Sequence, residues 1–434
     1  MAGSILLLGE GDLAEEVRSA LTALDARVVR LVRPTQREVE EAFERGGIER
    51  AVVISGDDAL ALRMALMVRD ADAEVELLLT YFDQTTGPLL AERIGNCRIT
   101  SMAEIVAPVL AGPCVDESFA ALALSGDGPA VGVREIDGRI EEVPADIATR
   151  RRLPTVLGAL FKPHDRSAAL LLYGSLGLFG VLVLETVSAA IVLDQSLVDA
   201  FYGAAKTLVT VEANDKVADG PSWFKTVVSV LMITALVFEA FFTAGIVNRL
   251  IDRRLTGLTG RNAVPREHHV IVVGLGKVGL RLCLLLRDCG VPVVAVDDQE
   301  DGEIVGEARR AGLPVVIGRG ADPSVLARLA LPDARAVAAA TDDDLQNIAI
   351  AMTALSLEPD TRVVLRVGDG RLANETRSLF KLGMVRDVHR VAASLIAAQA
   401  TGSAAERVLC ADDETRLVHP DGTLEKAAIV ASPS

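Results

Sequence analysis

The chain has 434 residues, of which 50% are hydrophobic and 24% are charged, and its formal net charge at pH 7 is −16. That negative charge argues against nucleic acid as a partner, and the length predicts roughly three domains. The hydrophobic fraction indicates α/β lobes rich in Ala, Val and Leu together with a small membrane part. The five cysteines have no spacing typical of metal ligands or disulfides, which predicts reduced thiols and no metal site.

Residues 1–125 predict a first α/β lobe, in which a short apolar strand leads into a glycine turn and then a helix. Glu10 and Asp12 place two acids inside the turn that would otherwise hold phosphate. The second strand ends at Arg33 rather than at an acid. Because the two carboxylates would repel a phosphate, we expect this lobe to be a structural partner and not a nucleotide site.

Residues 126–162 predict a short hairpin followed by a basic linker. The dipeptide Asp137-Gly138 lies between two strand-like runs and favours a tight turn. Basic residues then precede the first long apolar segment. They are Arg150, Arg151, Arg152, Lys162 and Arg166.

Residues 163–252 predict a two-span membrane module. Its apolar segments, 167–193 and 224–247, are each long enough to cross a bilayer, which takes about 20 residues. Basic residues precede the first span and follow the second, whereas the connecting segment 194–222 has more acidic than basic residues. Because basic residues stay on the cytoplasmic side, we expect a multi-pass protein of the cell membrane with both termini in the cytoplasm.

The segment between the spans predicts part of a pore. Residues 196–209 are long enough for a re-entrant half-helix, and a filter-like sequence follows them. This order of a span, a half-helix, a filter and a second span resembles the pore module of potassium channels, whose filter reads T-V-G-Y-G-D. Three filter residues match and three depart: Thr210, Val211 and Asp215 match, whereas Glu212, Ala213 and Asn214 replace Gly, Tyr and Gly.

These replacements change the expected chemistry of the pore. In a tetramer, Glu212 would place a ring of carboxylates near the axis, which attracts cations by charge and not through a potassium-sized cage of carbonyls. The loop therefore predicts either a cation pore of altered selectivity or a pore that does not conduct. Glu239, near the middle of the second span, is a candidate lumen residue, the alternative being a protonated side chain between helices.

Residues 266–400 predict a second α/β lobe with a clear dinucleotide-binding pattern. A continuous apolar strand, 269–273, leads into a G-x-G-x-x-G loop and an amphipathic helix, and the next strand ends in two acids. Phosphate would sit at the helix N-terminus, and the acids would hold the ribose hydroxyls. The candidate residues are Gly274, Leu275, Gly276, Lys277, Val278, Gly279, Asp297 and Asp298.

The later segments PVVIGRGADPSVLARLAL, AVAAATDDDLQNIAIAMTAL and RVVLRVGD resemble the RCK or TrkA-N family of Rossmann-type lobes that regulate potassium channels and transporters. The resemblance covers residues 3–112 more weakly. It implies that Thr341 and Asp342 close over a nucleotide and that Arg366 lies on its phosphate side. Gly318 is followed by Arg319, where the family commonly has Asp. The implied cofactor is NAD(H) or another adenine nucleotide, bound in the second lobe.

The combined prediction is a pair of α/β Rossmann-like (RCK) lobes flanking a two-helix transmembrane pore hairpin with a re-entrant half-helix. Residues 401–434 would be a short C-terminal extension. A homotetramer would supply a pore for a monovalent cation, with potassium as one candidate, and a gating ring of lobes. The alternative is a nonconducting, membrane-anchored nucleotide sensor that regulates a potassium or cation transporter. A membrane-bound dehydrogenase is disfavoured because neither lobe has a nearby substrate domain or a residue suited to acid–base catalysis. We therefore expect that the protein is not an enzyme.

Overall fold

The computed structural model divides the chain into two compact units. One unit contains Met1–Thr149 and Thr256–Ser434, and the other contains Arg150–Leu255. The structure describes residues 4–83, 86–124, 130–136, 139–145, 166–210, 215–251, 264–265, 267–380, 382–411 and 414–427.

The first lobe is built on a five-stranded parallel sheet with the strand order β2-β1-β3-β4-β5. The strand Ser4–Gly9 is a continuous buried run, as expected for a sheet that helices cover on both faces. The strands are β1 (Ser4–Gly9), β2 (Arg27–Leu31), β3 (Ile48–Ile54), β4 (Glu76–Thr80) and β5 (Cys97–Thr100). The helices are α1 (Asp12–Ala23), α2 (Gln36–Glu44), α3 (Asp58–Ala71), α4 (Gly87–Ile94) and α5 (Met102–Val115).

A three-stranded antiparallel sheet follows the first lobe. Its strands are β6 (Ala121–Leu124), β7 (Ala130–Ile136) and β8 (Arg139–Pro144). The last two strands pair in the segment where the sequence predicts a hairpin. The predicted turn residues, Asp137 and Gly138, and the basic residues 150–162 lie outside the described residues.

The unit Arg150–Leu255, called the membrane unit below, has three α-helices among its described residues: α6 (Arg166–Val192), α7 (Leu197–Thr210) and α8 (Ser222–Ile251). Helices α6 and α8 pack closely because glycines bring their backbones together. A Cβ added to Gly177 would lie 2.3 Å from the Phe238 ring, and one added to Gly174 would lie 2.7 Å from the Phe242 amide nitrogen.

Two stretches of this unit are long and apolar enough to cross a membrane, Leu170–Val192 and Ser222–Val247. Within the chain, only 17% of the most apolar part of the first stretch and 11% of that of the second stretch is buried. A core helix of a soluble protein would be largely covered, so these two helices carry apolar surfaces that need lipid or further subunits around them.

The second lobe has a six-stranded parallel sheet with the strand order β11-β10-β9-β12-β13-β14. The order reverses between β9 and β12, and in open α/β sheets ligands bind outside the carboxyl ends of the strands at such a point. The strands are β9 (Val270–Val273), β10 (Val293–Asp297), β11 (Val315–Ile317), β12 (Ala336–Ala339), β13 (Val363–Val367) and β14 (Met384–Asp387). The helices are α9 (Lys277–Asp288), α10 (Glu303–Arg310), α11 (Pro323–Arg328), α12 (Asp344–Leu357), α13 (Gly370–Glu375) and α14 (Val388–Ala400).

Another three-stranded antiparallel sheet follows the second lobe, where the sequence predicts a short extension. Its strands are β15 (Arg407–Ala411), β16 (Glu414–Val418) and β17 (Leu424–Lys426). This sheet shares an apolar cluster with the sheet that follows the first lobe, in which Val133 and Leu409 are buried. Arg416 pairs with Glu135 across the same contact at 3.3 Å.

The two lobes pack against each other reciprocally. Helix α1 of the first lobe packs on α14 of the second, and α9 of the second packs on α5 of the first. Val17, Leu110, Leu282 and Ile396, one from each of these helices, are buried in a single core cluster. The two lobes therefore share one hydrophobic core, which fixes the position of their facing edges.

Candidate functional site

A cleft of about 820 Å³ lies between the carboxyl ends of the strands of the two lobes. Its volume is in the range of small-molecule and cofactor sites. Almost all the residues predicted for cofactor binding line it, namely Gly274, Leu275, Gly276, Lys277, Val278, Asp297, Asp298, Gly318, Thr341, Asp342 and Arg366. The remaining one, Gly279, contacts the backbone of the glycine loop.

Each of the three loop positions is a glycine for its own structural reason. Gly274 has a φ of +98°, and a Cβ added to Gly279 would lie 1.9 Å from the Gly274 carbonyl oxygen. At Gly276, by contrast, an added Cβ would meet no described atom within 4 Å. The first and third glycines are therefore needed for packing, whereas the second leaves open space beside the cleft, where a phosphate can approach the backbone.

Helix α9 begins directly after Gly276, and no side chain in the described part of the chain caps its N-terminus. Its first amide groups therefore lack helical partners and point toward the open space at Gly276. A helix N-terminus of this kind favours an anion such as phosphate.

Asp297 connects the end of β10 to the glycine loop. Its Oδ2 accepts a hydrogen bond from the Leu275 amide at 2.7 Å, and its Oδ1 accepts one from the Gln299 amide at 2.9 Å. The carboxylate thus lies beside the loop and at the edge of the cleft. A ribose bound there would find an acceptor for its hydroxyl groups.

Arg366 and Asn347 organise the opposite side of the cleft. The Arg366 Nη1 donates to the carbonyl oxygens of Thr341 at 2.9 Å and Ala340 at 3.3 Å. The Asn347 Oδ1 accepts from the Thr341 amide at 3.0 Å and from its hydroxyl at 2.7 Å. Burial lowers the pKa of Arg366, and Asp342 and Asp344 oppose that shift. An arginine remains a cation at neutral pH, so this side of the cleft holds one positive charge.

His389 also lines the cleft, although no motif in the sequence points to it. Its Nδ1 lies 2.9 Å from the Gly368 carbonyl oxygen, and burial lowers the pKa of the imidazole. The ring is therefore neutral at pH 7. It follows β14, and only the strand order of the folded sheet brings it near Arg366.

Lys277 makes a contact that the sequence does not predict. Its Nζ donates to the Gly56 carbonyl oxygen at 2.8 Å and to the Asp58 Oδ1 at 3.1 Å, and it lies 4.9 Å from the centre of the Phe82 ring. All three partners belong to the first lobe. A lysine of the predicted phosphate loop is thus held by the facing lobe.

The first lobe keeps the backbone of a glycine loop but carries different charges. Gly9 has a φ of +146°, and a Cβ there would lie 2.2 Å from the Ile54 carbonyl oxygen. Glu10 forms an ion pair with Arg33 at the end of β2. In this lobe the acid is in the loop and the cation follows the second strand, which is the reverse of the usual arrangement.

The pore-related residues belong to the membrane unit. Thr210 ends α7, and a 3₁₀ turn, Asp215–Asp219, begins at Asp215. The predicted filter residues Val211, Glu212, Ala213 and Asn214 lie outside the described residues. Glu239 is exposed on α8 within this unit.

Residues 270–383 match the TrkA-N domain family. The second lobe is a TrkA-N domain. The match begins at β9 and ends directly before β14, so it includes the glycine loop, Asp297, Thr341 and Arg366.

The chain is similar to two curated proteins over part of its length. It is 28% identical over 187 residues to the voltage-gated potassium channel Kch of Escherichia coli (strain K12), an alignment that covers 42% of this chain and 45% of Kch. It is 29% identical over 111 residues to the putative K(+) efflux antiporter KefB of Alkalimonas amylolytica, covering 26% of this chain and 16% of KefB. The chain thus spans less than half the length of the curated relatives it matches.

Two solved structures share the fold. The GsuK channel has a TM-score of 0.51 at 14% identity, covering 92% of this chain and 64% of the channel. The GsuK RCK domain has a TM-score of 0.50 at 13% identity, covering 92% of this chain and 77% of that structure. The prediction of RCK-type lobes joined to a channel-like module of two candidate membrane helices is confirmed.

Proposed function

We propose that the protein is a cation transport protein of the cell membrane, similar to potassium channels and regulated by NAD(H) or another adenine nucleotide. One observation carries the proposal: a single chain joins a nucleotide-sized cleft, with an uncapped helix N-terminus at Gly276, to the α6–α7–α8 membrane unit. The curated relatives, named as a potassium channel and a potassium efflux antiporter, support potassium as a candidate cation.

The nucleotide would bind to the TrkA-N domain. Its phosphates would occupy the space at Gly276 and the first turn of α9, where amide groups lack partners. Asp297 and Asp298 would accept hydrogen bonds from the adenosine ribose, and Gly318 would lie on the adenine side at the end of β11. Thr341, Asp342 and Arg366 would contact the far part of the ligand.

The pore would form in a homotetramer, because one pair of spans cannot enclose a channel. Each chain would contribute residues 210–215 as its filter segment, and both termini would lie in the cytoplasm. Glu212 would set the charge of the filter, so selection would depend on carboxylate field strength and not on a carbonyl cage. Glu239 would face the lumen from α8.

A flux assay tests the proposal. Purified protein in liposomes should carry potassium or rubidium tracer above the level of empty liposomes, and added NAD⁺ or NADH should change the rate. Glu212→Gln should lower the flux and weaken block by divalent cations, which bind clustered carboxylates. Asp219→Asn, which removes a carboxylate from the same connecting segment but outside the filter, is the matched control and should conduct like the wild type.

The replaced filter glycines favour a second candidate, a nonconducting membrane sensor that reports nucleotide status to a transporter. A folded tetramer that binds nucleotide but gives no flux would support the sensor and contradict the channel. Restoring the filter with Glu212→Gly, Ala213→Tyr and Asn214→Gly should then produce potassium flux if the surrounding scaffold is intact.

A further inference from the structure

The cleft has a wall that the first lobe supplies. Glu10, Asp12 and Asp58 line it opposite the glycine loop of the TrkA-N domain, together with the Phe82 ring. The shared hydrophobic core holds the two lobes in this arrangement. A ligand that lies along the second lobe would therefore have its far end against an acidic surface of the first.

Lys277 is engaged by this wall. Its ammonium group donates to the Asp58 carboxylate and to the Gly56 carbonyl, and its remaining neighbour is the Phe82 ring. The side chains of Lys277 and Asp58 are only 37% and 24% exposed, which limits the screening of their ion pair by water. A phosphate that recruits Lys277 must therefore first displace the Asp58 carboxylate.

Besides Lys277, the described residues that line the cleft include the basic residues Arg319, Arg366 and His389. The Arg366 guanidinium donates to two carbonyl oxygens and is flanked by Asp342 and Asp344. His389 is neutral because burial lowers its pKa, even though Asp12 favours its cationic form. At this end the cleft thus provides carboxylates for a positive or hydrogen-bond-donating group, whereas Lys277 and Arg366 are already engaged. Arg319 follows Gly318 after β11.

We propose, on the basis of the nucleotide function proposed above, that both lobes form one composite site and that Asp58, with Asp12 beside it, selects a dinucleotide over a nucleoside triphosphate. The oxidised nicotinamide ring is cationic and its ribose donates hydrogen bonds, so carboxylates suit that half of NAD⁺. A terminal phosphate carries a charge of about −1.5 to −2 and would meet the Asp58 and Asp12 carboxylates where Lys277 is already paired with Asp58.

The test is calorimetry on the full-length protein in detergent, with EDTA present and with NAD⁺ and ATP as titrants. The wild type should bind NAD⁺ at least tenfold more tightly than ATP. Asp58→Asn should raise the affinity for ATP about tenfold, since it removes one repulsive charge and releases Lys277. For NAD⁺ the lost attraction to the nicotinamide and the released Lys277 act in opposite directions, so its affinity should change about twofold or less. Excess Mg²⁺ should recover part of the ATP affinity of the wild type.

Asp57→Asn is the matched control. The Asp57 side chain caps α3 by accepting from the Ala59 amide, a role that Asn also performs, and it does not line the cleft. This variant should keep the wild-type ratio of the two affinities. In Asp58→Asn combined with Lys277→Gln, most of the gain for ATP should disappear, because the released lysine is no longer present.

Asp58 also accepts hydrogen bonds from the Phe82 and Asp83 amides, so its replacement could disturb the local fold. Asp12→Asn is therefore a second variant, and it should change the ratio in the same direction. Equal ratios in the wild type, Asp58→Asn and Asp12→Asn would overturn the selection mechanism and leave the proposed function standing. Absence of binding by either nucleotide would overturn both.

Discussion

The substitution Gly276→Asp should remove nucleotide binding by the TrkA-N domain while leaving the domain folded. Gly276 has φ −80° and ψ −174°, extended values that any residue adopts, and an added Cβ meets no described atom within 4 Å. The position is the N-cap of α9, where Asp is among the preferred residues. The free energy of unfolding should therefore stay within about 1 kcal/mol of the wild type, with a small gain expected from the cap.

The same substitution should remove nucleotide binding. The new carboxylate would accept the helix amides that a phosphate needs, and it would face the phosphate charge. Two unit charges about 4 Å apart repel by about 4 kcal/mol at an effective dielectric constant of about 20, which corresponds to roughly a thousandfold loss. Allowing for rotation of the side chain toward water, we expect the affinity for NAD⁺ to fall at least about a hundredfold.

Calorimetry and thermal unfolding of the full-length protein measure the two effects separately. Gly306→Asp is the matched control, because Gly306 lies in α10 of the same lobe, has equally open space for a Cβ and does not line the cleft. If Gly276→Asp bound NAD⁺ within threefold of the wild type, phosphate would not sit at this loop. A large fall in melting temperature would instead refute the assignment of open space at Gly276.

Three further predictions concern stability. Gly279→Ala should lower the free energy of unfolding by about 3 kcal/mol, measured by urea unfolding, because its Cβ would lie 1.9 Å from the Gly274 carbonyl oxygen. Burial raises the pKa of the Asp387 carboxyl to about 6, so the folded state should lose up to about 3 kcal/mol of stability as pH rises from about 4 through about 6. Asp387→Asn should flatten that fall in unfolding measurements across the same pH range. Gly177→Val should loosen the packing of α6 on α8 and lower the melting temperature in detergent, because its Cβ would lie 2.3 Å from the Phe238 ring.

The sequence predicts those parts of the fold and site whose signals are local. The buried strand, glycine loop and terminal acid around Gly276 and Asp297 are contiguous or nearly so, and the structure brings them to one cleft. The apolar spans are likewise visible because their length and composition suffice. Each of these signals depends on residues that stay neighbours whatever the rest of the chain does.

Contacts between distant segments were not predictable in the same way. The bond from Lys277 to Asp58 joins residues 219 positions apart, and no spacing rule connects them. His389 reaches the cleft only because β14 lies beside β13. A weak local signal does exist for the small final sheet, since the charged residues Glu414 and Arg416 alternate with Thr415 and Leu417, which are buried in the structure. Short antiparallel strands are nevertheless hard to separate from loops by sequence alone.

The first turns of two equivalent helices show how one fold yields a ligand site in one lobe and a structural partner in the other. Helix α1 carries Asp12 and Glu15 in its first turn, so its own carboxylates compensate the positive end of the helix dipole. Helix α9 has no acid in its first turn and begins with Lys277. The positive end of α9 is thus left for an external anion, while Asp12 of α1 lines the same cleft from the other side. If nucleotide binds at α9, replacing Asp12 of α1 should alter which nucleotide binds before it creates a second site, because Glu10 still occupies the loop of the first lobe.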